Sequence, residues 1–122
     1  MRYLCLIHLD EQAMAKLPHA EMNDLNVRHL TLNEELRRSG TLVEASALES
    51  SVNAVQLRVR GGRRTVVDGP FTETKELVAG FYLIEATDLQ EAIGIACRFP
   101  SAPLARIEVW PTRELEVDEQ TG

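Results

Sequence analysis

An α+β fold, with an antiparallel sheet covered on one face by two helices and a β-hairpin inserted into the order, is predicted for this 122-residue chain. Three observations predict it. Short apolar runs at Tyr3–Ile7 and Gly80–Ala86 read as central strands with both faces covered. Two segments of helical periodicity, residues 19–39 and 89–98, each sit between strand-like runs. An alternating stretch broken by Gly61-Gly62 reads as a hairpin lying between the second strand and Gly80.

The elements follow in order. The first strand comes to the surface at His8 and Asp10, and the stretch from Asp10 to Lys16 fits no single period. Pro18 suits the start of a helix, where its missing N–H costs nothing. Met22, Leu25, His29, Leu32 and Leu36 then recur at spacings of three and four, which puts them on one helical face. Arg37 and Arg38 favour the negative end of that helix, and Gly40 is placed to cap it. Thr41–Leu48 reads as the second strand and Glu49–Asn53 as a loop. Ala54–Arg60 and Arg63–Val67 form the hairpin, and Lys75–Val78 is read as a short helical turn. Asp88 with Glu91 has the spacing of a capping box, followed by a stripe of Leu89, Ala92, Ile93, Ala96 and Cys97. Phe99-Pro100 ends that helix, and Leu104–Trp110 is the last strand. This is the split βαβ, or ferredoxin-like, plan over residues 1–113, with an acidic tail at 114–122 expected to fray.

Composition narrows the partners. A net charge of −6 argues against nucleic acid, because phosphate contacts need a basic surface. Arg58, Arg60, Arg63 and Arg64 do cluster around one turn, which reads first as a solvated hairpin tip. The two cysteines, Cys5 and Cys97, lie in apolar periodic segments without metal-ligand spacing, so neither a metal nor another cofactor is expected. They fit a reducing compartment, and the first nine residues lack a cationic lead and cleavage site, so a cytoplasmic protein is expected. No run approaches the ~20 apolar residues that span a bilayer. Apolar residues on both sides of the central strands call for a cover on the helix-free face, and a second copy in an isologous homodimer supplies one.

The run from Asp68 to Glu76 (Asp-Gly-Pro-Phe-Thr-Glu-Thr-Lys-Glu), just ahead of the strand at Gly80, gathers polar groups in one turn beside a rigid scaffold. It resembles the signature of DGPF-type proteins in the YCII-related family, and the likeness extends to about Arg113. The resemblance implies a dimeric α+β barrel. It also implies a helix histidine paired with an aspartate ahead of a proline before the last strand. His29 matches the first residue of that pair; Phe99 precedes Pro100 where the aspartate is expected. His29 is therefore the candidate acid/base, since imidazole titrates near neutrality, although a structural histidine with one satisfied nitrogen also fits an apolar helix slot. Asp68 is the candidate orienting carboxylate, with a turn-stabilising role as the alternative. His8, Thr72, Glu73 and Lys75 are candidate ligand-binding groups for an unidentified small molecule. Two functions follow: a lyase- or isomerase-like enzyme by analogy with the family, or a non-catalytic accessory module of the kind found beside sigma factors.

Overall fold

The computed structural model describes residues 1–69 and 76–118. Alternation shapes the first strand, β1 (Arg2–Asp10): Tyr3, Cys5, Ile7 and Leu9 are buried, while Leu4, Leu6 and His8 lie half-buried on the opposite face. The stretch left open by the sequence pattern is a short helix, α1 (Glu11–Ala15), because the Asp10 carboxylate accepts from the Gln12 and Ala13 amides. The long helix α2 (His19–Arg38) starts after Pro18 and buries Leu25, Leu32 and Leu36. It closes as a Schellman motif: Gly40, at φ +76°, donates to the Arg37 carbonyl, and Thr41 donates to that of Leu36.

Strand β2 (Leu42–Ala47) leads through a 3₁₀ turn at Ser51–Asn53 into the hairpin β3 (Val55–Arg60) and β4 (Arg63–Asp68). Gly61 and Gly62 both take positive φ, as a tight two-residue turn requires. Strand β5 (Glu76–Glu85) starts earlier than expected, so Glu76–Val78 is strand rather than helical turn, and Lys75 lies outside the described residues. Pairing with Asp10, Leu9 and His8 of β1 overrides the local pattern there. Helix α3 (Leu89–Ala96) is capped by Asp88, which accepts from the Glu91 amide, while Glu91 reaches back to Thr87. Of its expected stripe only Ala92 and Ala96 are buried; Leu89 and Ile93 are 44% and 39% exposed. A second 3₁₀ turn, Ala102–Leu104, delays the last strand, β6 (Arg106–Pro111).

The main sheet has the order β2-β5-β1-β6 with every neighbour antiparallel, the ferredoxin-like arrangement, and the hairpin forms a separate two-stranded sheet. Phe99, Ile84 and Cys5 are the largest fully buried side chains of the core. Among the described residues no helix is long and apolar enough to cross a membrane.

Three segments distant in sequence meet below the hairpin. The Glu11 carboxylate accepts from the Ser51 amide at 2.7 Å and the Ser51 hydroxyl at 2.8 Å. Gly69 donates to the Ala54 carbonyl and passes so close that a Cβ there would lie 2.0 Å from the Ser51 carbonyl oxygen. A backbone atom is a rigid obstacle, so Gly69→Ala is expected to cost about 1–3 kcal/mol of stability, read from urea unfolding. An unchanged midpoint would show that this crossing carries no constraint.

Candidate functional site

Small side chains create the site. Ala45, Ala47, Ala79 and Gly80 occupy one end of the helix-covered sheet and leave a cavity of about 1000 Å³ below the first half of α2. Ile7, Leu9, Met14, Met22 and Leu25 give it an apolar wall, and His29, Asn26, Asn33, Gln12 and Ser101 bring polar groups to it.

His29 stands on α2 with its ring over β5, where Tyr82 faces the helices. Tyr82 Oη donates to Asn33 Oδ1 at 2.5 Å and lies 2.8 Å from His29 Nδ1. Because the phenol proton is committed to Asn33, the phenol oxygen accepts from His29, so Nδ1 carries the proton and Nε2 the lone pair. Nε2 has no hydrogen-bond partner among the described residues, and His29 lines the cavity. Burial first, and the neighbouring Arg28 charge second, push the His29 pKa below its ordinary value, so the imidazole is neutral at pH 7. Burial pushes the Tyr82 phenol up to about 12, which keeps it protonated. Phe99, fully enclosed, stacks on the Tyr82 ring with centroids 4.1 Å apart and planes 21° apart. The position expected to hold a carboxylate thus backs the tyrosine that orients the histidine. A phenol fixes the ring as a carboxylate would, but it adds no charge to raise the basicity.

The other sequence candidates lie elsewhere. Asp68 is exposed at the end of β4 and is not in the cavity wall, and no carboxylate among the described residues contacts His29. Alternation along β1 turns His8 to the open face of the sheet, where its Nε2 donates to Glu108 Oε1 at 2.6 Å. That bond holds the Glu108 carboxyl below the usual carboxylate range, and Arg106 links Glu108 to Glu76. Thr72, Glu73 and Lys75 fall outside the described residues. No group of three or more His, Cys, Asp or Glu poised for a metal occurs among the described residues.

Sequence reasoning passed over Tyr82, Asn33 and Ser101. Asn33 was within reach, since it lies four residues after His29 and therefore one turn along the same helical face. Ser101 gave no sequence signal, yet it is only 2% exposed and its hydroxyl lacks a partner among the described residues.

The model of the YCII-related domain matches residues 1–116. The chain belongs to the YCII-related family. An uncharacterised protein of Rhizobium meliloti (strain 1021) is 34% identical over 100 residues, covering 79% of this chain and 77% of that protein. Within the YCII-related chain described here, the histidine of the long helix is held by Tyr82, which Phe99 backs.

Proposed function

We propose that this protein is a small-molecule enzyme of the lyase or isomerase type in which His29 transfers the proton. The geometry around His29 carries the reading: Nδ1 lies 2.8 Å from a buried phenol, the residue lines a cavity of about 1000 Å³, and Nε2 has no hydrogen-bond partner among the described residues. A neutral imidazole with an open lone pair suits removal of a proton from substrate carbon or oxygen. The proton then returns to another substrate atom, or leaves with a departing group. Throughout, the Nδ1–H bond to Tyr82 keeps the ring in place.

The wall also supports a substrate class. Among its described residues there is no lysine or arginine, while Glu11 and Glu49 supply negative charge. Phosphorylated or carboxylated metabolites are disfavoured there, and a neutral molecule with an apolar body fits. A cytoplasmic setting agrees with two free cysteines. A homodimer through the open sheet face is supported by half-buried Leu4, Leu6, Phe81 and Leu83, with Trp110 55% exposed beside them.

One observation favours the second reading, a non-catalytic binding or accessory module: His29 lacks the acidic partner that would make it a stronger base. A metabolite screen by thermal stabilisation, run on wild type and His29→Ala, addresses both. A ligand at ~100 times its dissociation constant adds about 2.7 kcal/mol. Loss of that response in a folded His29→Ala protein places the ligand at this site, and an unchanged response removes His29 from it. A ligand converted to product by wild type supports the enzyme; one recovered intact supports the module.

A further inference from the structure

We infer that the β3–β4 hairpin is a docking arm whose apolar face seats on a second copy of this chain. The inference extends the homodimer proposed above and rests on it. The two strands pack mainly on each other, and the main sheet does not continue into them. A lone two-stranded ribbon is marginal in water, so this one needs a covering surface. The pairing register puts Val55, Leu57 and Val59 on the same face as Val66, Arg64 and, at the ribbon's base, Asp68. Those four apolar side chains are 50–61% exposed, an unusual density of bare valine and leucine on so small an element. Arg58, Arg60 and Arg63 line the opposite face.

Charge identifies the occupant. The arm holds four of the chain's 13 Lys and Arg but one of its 19 Asp and Glu, which leaves 9 cationic against 18 acidic residues elsewhere. None of the four arginines forms an ion pair with a carboxylate among the described residues. A basic arm and an acidic body on one chain attract each other between copies, and a two-fold arrangement satisfies both arms at once. Arg64 enters the contact beside the apolar stripe. Arg58, Arg60 and Arg63 steer the approach and keep the outer face solvated.

The test is the dimer dissociation constant from sedimentation, measured for wild type, Leu57→Asp/Val66→Asp and Leu6→Asp/Phe81→Asp, with circular dichroism as the folding control. Leu57 and Val66 are exposed but stand directly opposite each other, so Leu57→Ser/Val66→Ser repeats the test without a like-charge pair. The dissociation constant of either arm variant is expected to rise at least about 30-fold, the signature of a lost interface hot spot. Wild-type association is also expected to weaken with added salt. An arm variant that dimerises like wild type, while the sheet variant dissociates, overturns the arm and leaves the sheet-face dimer standing. A wild type that is monomeric at millimolar concentration overturns both.

Discussion

Phe99→Ala is expected to lower the free energy of unfolding by about 3–5 kcal/mol, a large part of the ~5–15 kcal/mol that holds a typical domain together. Phe99 is among the most enclosed side chains of the core, and its ring stacks directly on Tyr82. Removing it opens a void on the side of Tyr82 away from the solvent and frees the phenol that orients His29. Urea unfolding measures the loss, and a shift below about 1 kcal/mol would show that the position is not a core position. Phe99→Asp places there the residue that the family resemblance implies, yet it is expected to be worse than alanine. A carboxylate in that space would be stripped of water and buried against the Tyr82 ring. A stable, more active Phe99→Asp protein would overturn the view that Tyr82 has taken over the orienting role.

His29→Gln is expected to reduce kcat/KM by about 10²–10⁴-fold on whatever substrate the screen identifies, the usual range for loss of a general acid or base. The pH dependence carries its own sign. The folded pKa of His29 lies below the ordinary imidazole value of 6.5, so the bare Nε2 is available at neutral pH and is lost only as pH falls through that depressed value. The acid limb of the wild-type rate profile therefore lies below pH 6.5 and disappears in the variant. Stability follows the same linkage. Between pH 6.5 and the folded pKa the unfolded chain binds a proton that the folded chain refuses, so wild type loses stability as pH falls through this window. His29→Gln removes that component, and the difference between the two unfolding curves isolates it. An acid limb above pH 7, or identical pH slopes for the two proteins, would refute a neutral base at this position.

Much of the fold was legible because its signals are local and repetitive. The stripe from Met22 to Leu36 and the cap at Gly40 set α2 almost to the residue. The alternation either side of Gly61-Gly62 likewise set the hairpin. The start of β5 was hidden because Glu76 and Val78 gain their strand conformation from β1, a partner more than sixty residues away. The site was legible only in part, for the same reason. His29 announces itself as a polar group in an apolar stripe, but its partner is chosen by tertiary packing. Tyr82 reads in sequence as one of two adjacent aromatics, and only the sheet decides which of Phe81 and Tyr82 faces the helices. His8 went to the other face by the same parity rule, and Asp68 was drawn away by the hairpin it terminates.

The apolar character of both sides of β5 has a cost in specificity. A slip of one residue would exchange Phe81 for Tyr82 with little change in greasiness, so oiliness alone cannot hold this strand in frame. What pins it is steric and polar. Gly80 crosses the Ser46 carbonyl so tightly that a Cβ would sit 2.9 Å from the oxygen, and the phenol two residues on finds its amide and imidazole only in this frame. The groups that line the pocket are therefore also the ones that keep the central ribbon aligned.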